Sequence, residues 1–314
     1  MSNSFKGYLC GIIAAVSYGS SPLGVLFLYE DGVRPVSVLF YRFSIAAIIL
    51  GAILLLQKKS FKVNRNEARV LILLGGLFVI SSFTYYLSFC YMAVGLSSTI
   101  LFFYPVMVAV IMAVFFNEKV RIGTVLSTGL ALLGIFLLYK GDGNTTVSIT
   151  GMVLVLVSAL TYALYIVLLN RSEIRMSSVK LTFYVLLMCI ASNFIASFFD
   201  PTGGLQALPN MRSLFSALWL GVFPTVVSLV TMAMAVKFVG STPTAIMGAL
   251  EPLTAVVIGV MVFGEIITPR LTLGMMLILT AVIIIIVSKH VSTIRVFSTV
   301  NAFGHRVVKH WRWK

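Results

Sequence analysis

Acidic side chains are scarce in this sequence, and histidine is scarcer still. Nine Asp and Glu stand against 23 Lys and Arg, and charged residues of both signs make up only 10% of the 314. A soluble globular domain carries about 25%, so a water-facing surface over the whole molecule is excluded. His290, His305 and His310 all sit near the C-terminus. The rest of the chain therefore has no imidazole for general-base or metal chemistry. It also lacks paired carboxylates and a serine in a nucleophile motif, which weighs against an enzyme. Cys10, Cys90 and Cys189 lie singly in apolar stretches, so there is no disulfide framework and no ligand-spaced cluster. Nothing calls for a metal or a cofactor. No ring of repeated polar residues suggests a channel.

Apolar sequence is what the chain has in quantity: 60% hydrophobic residues and a mean hydropathy of +1.06. It divides into ten segments, each near the ~20 residues that cross a hydrocarbon core. They fall at about 7–28, 35–57, 69–92, 97–116, 121–139, 148–169, 179–199, 213–236, 243–263 and 269–289. The first follows a single Lys6 and imitates a signal peptide, but nine further segments behind it make it the first helix. The expected architecture is an all-α integral membrane protein.

The net charge of +14 follows topology rather than nucleic acid. With the N-terminus in the cytoplasm, alternating loops put 18 Lys and Arg inside and four (Arg34, Lys140, Arg212 and Arg270) outside. Such a bias sets both termini inside. The tail from 290 to 314 spaces Val291, Ile294, Phe297, Val300, Phe303, Val307 and Trp311 among basic residues. It reads as an amphipathic helix on anionic inner-leaflet lipid, or as a disordered basic tail.

The two halves repeat each other. A-A-V-S-Y-G from Ala14 answers S-A-L-T-Y-A from Ser158, and Y-P-V from Tyr104 answers E-P-L from Glu251, 147 positions on. Pro105 to Glu118 and Pro252 to Glu265 are both 13 positions. A unit of five crossings re-enters the membrane upside down when repeated. Inverted repeats of this kind are typical of secondary transporters, which hold their substrate at the repeat interface near the midplane. The expected organisation is a first five-helix repeat over 1–140, an outer linker over 141–147, an inverted repeat over 148–289 and the cytoplasmic tail over 290–314. Asn144-Thr145-Thr146 in the linker matches a glycosylation acceptor, a weak motif.

With these features the chain resembles the ten-helix drug/metabolite transporters of the EamA type. The resemblance rests on the S/T-Y-G/A motifs, on Arg42-Phe43-x-x-Ala46 and on the paired Pro-to-Glu helix ends. It implies alternating-access movement of a small polar or amphipathic organic solute through a cavity between the halves. An amino-acid-like metabolite, exported across a bacterial inner membrane, is the expected cargo. A passive channel is the alternative, and a monomer suffices.

Glu251 is the first candidate site residue, because a charge at mid-membrane costs about 3 kcal/mol on insertion scales and must face protein or water. Thr244, Gly248, Glu251, Ala255 and Gly259 form one helical stripe of small residues around it. Pro252 and Pro105 remove the hydrogen bonds to the carbonyls of Gly248 and Leu101, which makes these helices candidate gates, along with a bend at Ser20-Ser21-Pro22. Glu251 binds a cationic group or carries a coupling proton; the other reading is a structural carboxylate paired with Arg42 or a hydroxyl. Arg42 lies about 10 Å below one face and Glu251 about 12 Å above the other, so the two side chains could pair directly or hold a zwitterion between them. Arg42 could also snorkel outward. Ser17, Tyr18, Tyr85, Ser88, Tyr104, Thr161, Tyr162 and Tyr165 are further candidate contacts, with interhelical packing as the alternative. Glu118 and Glu265 end helices four and nine, as termination or as gates.

Overall fold

The computed structural model describes residues 3–116, 122–139, 148–172, 176–201, 203–239, 244, 247–266 and 268–287. Glu118, the linker with Asn144 and the basic tail lie outside the described residues. In chain order the helices are α1 (Asn3–Gly19), α2 (Ser21–Glu30), α3 (Pro35–Leu56), α4 (Arg65–Ser88), α5 (Val94–Leu101), α6 (Tyr104–Phe116), α7 (Ile122–Tyr139), α8 (Ile149–Arg171) and α9 (Ser178–Ser197). After them come α10 (Met211–Gly221), a π-helical turn (Val222–Val227), α11 (Ser228–Val239), α12 (Leu250–Phe263) and α13 (Pro269–Val287). No strand occurs among the described residues.

Polar residues start the helices where the sequence leaves the apolar phase. Asn64 and Glu67 form a reciprocal capping box at α4, satisfying N–H groups that a helix end leaves open. Ser148, Ser177 and Asn210 each accept a backbone N–H from the first turn of α8, α9 and α10, and Pro35 opens α3.

Seven helical stretches are long and apolar enough to cross a membrane: Phe5–Glu30, Pro35–Leu56, Arg65–Ser88, Val94–Phe116, Ile149–Arg171, Ser178–Ser197 and Met211–Val239. Val125–Leu137, Leu250–Phe263 and Pro269–Ile284 are shorter apolar helices. The outside of the bundle is apolar, with Leu56 at 84% and Phe199 at 86% exposure. Arg42, Ser88, Ser158 and Asn193 are buried within. Apolar outside and polar inside suits lipid as solvent.

Several expected continuous spans are broken. The first splits at Ser20, the fourth at Phe102–Phe103, and the eighth winds through the π turn around Pro224. Packing joins α1 to α11, α4 to α8, α3 to α9, α5 to α12 and α7 to α13. Exchanging each element of residues 3–139 for its counterpart in residues 149–287 maps the α1–α11, α4–α8, α3–α9 and α7–α13 contacts onto one another. At the α7–α13 crossing a Cβ on Gly134 would stand 2.8 Å from the carbonyl oxygen of Gly274, so only glycine permits so close an approach.

Candidate functional site

Between the two halves lies a cavity of about 220 Å³, compact beside the ~300–1,000 Å³ of drug-sized sites. Helices of both halves supply its walls, from Tyr18 of α1 and Arg42 of α3 to Glu251 of α12.

Arg42 is 5% exposed and turned inward, so it does not snorkel. Its Nε donates to Thr225 Oγ1 at 3.0 Å, and a terminal N–H donates to the Tyr86 hydroxyl. Its guanidinium carbon lies 5.3 Å from the ring centre of Tyr86, 5.6 Å from that of Phe43 and 5.8 Å from that of Tyr18. Thr225 is available because the π turn shifts the helical phase, and its own hydroxyl donates to the Leu220 carbonyl at 2.9 Å. π turns of this kind recur at functional sites. No carboxylate lies within ion-pairing distance of Arg42 among the described residues. Its charge is held by hydroxyls and ring faces.

Glu251 stands in the first turn of α12, half-buried and lining the same cavity. Its carboxylate makes no hydrogen bond or ion pair among the described residues. Of the two alternatives, the direct Arg42–Glu251 ion pair is absent among the described residues, although both side chains face one space. Gly19 lets α1 run against the backbone here, since a Cβ would stand 2.8 Å from that of Thr254 and nearer still to the Glu251 carbonyl.

Aromatic rings form the remaining wall. Tyr104 meets Tyr162 edge-on at 4.8 Å, Tyr162 stacks on Tyr165 at 5.9 Å, and Phe78 links Tyr165 at 5.6 Å to Phe43 at 6.1 Å. The hydroxyl of Tyr85 shares a hydrogen bond of 2.8 Å with that of Ser98.

Tyr18, Arg42, Tyr85, Tyr104, Tyr162, Tyr165, Gly248 and Glu251 thus meet at one cavity. Ser17, Ser88 and Thr161 do not line it. The Ser17 carbonyl accepts the Ser20 hydroxyl at 2.7 Å. Ser88 donates to the Tyr85 carbonyl at 2.6 Å and to the Ser97 hydroxyl at 3.3 Å, tying α4 to α5. Thr161 bonds back to Val157 at 2.8 Å. The Ser88 and Thr161 hydroxyls, on the polar sides of their helices, are turned toward their own backbone or a neighbouring helix. Pro22, Pro105 and Pro252 also stand off the cavity, in the first turns of α2, α6 and α12. The Gly248 carbonyl is not left open as expected: the Glu251 N–H takes it at 3.0 Å, because the chain turns tightly there instead of continuing a helix.

One face of the bundle is latched. Gly264, in the left-handed region at φ 65°, turns the chain back after α12, and the Glu265 N–H bonds the Gly259 carbonyl at 2.9 Å. The Glu265 carboxylate then accepts the N–H groups of Val94 at 2.6 Å and Gly95 at 3.3 Å. An acid of one half so caps a helix of the other. Burial pushes Glu265 above the usual carboxylate range, and the two N–H donors oppose the shift. Nearby, Arg34 pairs with Asp200 at 3.2 Å, and Arg212 pairs with Glu30 at 3.2 Å and with Asp31. Hydrogen bonds from Arg212 and then Ser213 hold Asp31 at about 2. Tyr29 of α2 donates to the Tyr86 carbonyl at 2.9 Å beneath this face.

Comparison with known proteins follows the same two halves. The sequence pattern of the EamA-like transporter family matches residues 5–140 and again residues 149–287. A protein named "uncharacterized transporter" from Archaeoglobus fulgidus is 30% identical over 191 residues, which cover 61% of this chain and 66% of that protein. A second, from Clostridium kluyveri, is 24% identical across 89% of this chain and 92% of its own length. A solved crystal structure shares the fold with a TM-score of 0.65 at 16% identity, over 88% of this chain and 95% of that one.

Proposed function

The chain belongs to the EamA-like transporter family, and from that premise we propose an alternating-access carrier for a small amino-acid-like metabolite. The protein is an integral, multi-pass membrane transporter. In our reading it comprises ten spans in two inverted five-helix repeats, with both termini cytoplasmic in a bacterial inner membrane, and it works as an exporter. The cavity is the solute site. The observation that carries this reading is one guanidinium and one unpaired carboxylate, contributed by different repeats to a single aromatic-walled space. A zwitterion supplies both missing counter-charges at once. Its ammonium meets Glu251 among Tyr18, Tyr104 and Tyr162, and its carboxylate meets Arg42. When the solute leaves, Glu251 takes a proton, which couples transport to a proton gradient.

Two broken spans act as gates. The pairs α5–α6 and α12 are interrupted close to Pro105 and Pro252, and the Glu265 bonds to Val94 and Gly95 close the latched face, which we assign to the outside. Glu118 performs the corresponding task on the opposite face, and the basic tail rests on anionic lipid.

Proteoliposomes loaded with single amino acids test the reading. Saturable, counterflow-competent uptake that Glu251→Gln abolishes is the expected result. Ohmic currents without counterflow support a passive channel instead.

A further inference from the structure

The two repeats meet across the cavity in register, and one contact is made twice. A Cβ on Gly7 of α1 would stand 2.8 Å from the Cβ of Phe238 and 3.2 Å from a methyl of Val239, in α11. A Cβ on Gly151 of α8 would stand 3.2 Å from the Cβ of Tyr91 and 2.9 Å from the sulfur of Met92, just past α4. Gly7 and Gly151 are 144 positions apart, and Tyr91–Met92 and Phe238–Val239 are 147 apart. Further along the same helices, this register sets Ser158 equivalent to Ala14 and Ser81 equivalent to Ser228.

Ser81 and Ser158 consume each other's hydrogen bonds. The Ser81 hydroxyl donates to the Ser158 carbonyl at 3.0 Å, the Ser158 hydroxyl donates to the Ser81 carbonyl at 2.7 Å, and the two hydroxyl oxygens are 3.1 Å apart. On the other side alanine replaces one member, and the clasp cannot form. Ser228 is 8% exposed and lines the cavity, yet its hydroxyl makes no hydrogen bond among the described residues. Opening on the cavity without a protein partner, that hydroxyl is left for whatever occupies the space. Thr225, one helical turn earlier, already receives Arg42. Thr225 and Tyr86 take only part of the five N–H donors of Arg42, and Ser228 lines the same cavity as this guanidinium.

We propose that Ser228 is a solute-binding residue, its hydroxyl kept free by alanine at position 14, and that it donates to the carboxylate of a solute held by Arg42. The proposal deepens the transporter reading above and rests on it. It makes the Ser81–Ser158 pair, one serine from each repeat, structural, and Ser228, the counterpart of Ser81, a specificity element.

The test is thermal-shift titration of the purified protein with the standard amino acids, each beside the amine that lacks its carboxylate. Ser228→Ala and Ala14→Ser should each weaken amino-acid binding roughly three- to tenfold, the second by giving the hydroxyl an internal partner. Binding of the amine should change less. Ser158→Ala should lower Tm and weaken amino-acid binding less than Ser228→Ala does. Unchanged affinity in both Ser228→Ala and Ala14→Ser overturns the proposal. If no amino acid shifts the wild type, the amino-acid reading of the function fails, and thiol labelling decides the role of Ser228. In protein with Cys10, Cys90 and Cys189 replaced by alanine, S228C should react with a small anionic thiosulfonate while S88C, buried away from the cavity, stays protected. Equal rates overturn the proposal.

Discussion

Tyr104 and Glu251 occupy equivalent places in the two repeats and face the same cavity, one neutral and aromatic, the other a carboxylate. The same divergence recurs around the wall. Phe78 corresponds to Thr225, Tyr85 to Met232 and Leu101 to Gly248, all 147 positions apart, and all six residues line the cavity. Aligning Phe40-Tyr41 with Phe183-Tyr184 sets Arg42 opposite Val185. Tyr18 and Tyr162 keep one chemistry, as do Ser81 and Ser228. The repeats therefore share what builds the scaffold, such as close glycine contacts and proline-started helix pieces. They differ where a solute would be touched. Each charge of the cavity comes from one repeat only, so the site has polarity although its frame is symmetric.

This contrast can be broken or sharpened by experiment. The largest effect belongs to Glu251→Gln, expected to reduce transport at least about a hundredfold while surface expression holds. Tyr104→Phe should stay within about threefold in the same uptake assay. Comparable losses would mean that the repeats contribute equally. Next comes Arg42→Lys, expected to lower transport about tenfold, because an ammonium cannot reproduce the fork that reaches Thr225 and Tyr86 together. Val185→Ala should change uptake far less.

Smaller effects compare the latched face with the cavity. Glu265→Ala leaves the N–H groups of Val94 and Gly95 unmet and should lower Tm by about 2–4 °C. Because burial raises Glu265 above the ordinary carboxylate range, folding favours its neutral form. That contribution is present below the unfolded value and fades as pH rises through the folded one. The Tm of wild type relative to Glu265→Gln should therefore decline as pH rises across that window. The smallest effect is at Asp31, whose contribution holds above the ordinary carboxylate range and is lost as pH falls toward about 2. Arg212→Ala should remove this acid-side dependence from the melting curve.

Much of the frame was legible in the primary structure. Apolar length located the helices, and proline placement anticipated breaks near Pro22, Pro105 and Pro252. The repeat, visible in short motifs, gave the register in which the cavity pairs line up. Charge scarcity singled out Glu251 and Arg42, which do face one space. What they bond to was not legible. Tyr86 lies a third of a turn from the polar stripe that passes through Tyr85, so helical spacing favours the wrong tyrosine as partner to Arg42. Thr225 reaches Arg42 only because of the π turn, and an inserted residue is invisible to a fixed period. For Ser88 and Thr161 the packing alternative holds, because hydroxyls on a polar stripe also satisfy neighbouring backbone, and Ser17 does not line the cavity either. Glu265 was read as a helix end, but its capping of a helix in the opposite repeat needed the fold.

The central claim is that the two repeats enclose a water-accessible cavity into which position 251 looks. It is tested most directly with Glu251→Cys in protein freed of Cys10, Cys90 and Cys189, exposed to a membrane-impermeant thiol reagent from each side in turn. The account predicts labelling from at least one side, slowed when transported solute is present. Failure to label from either side in correctly inserted protein would contradict it.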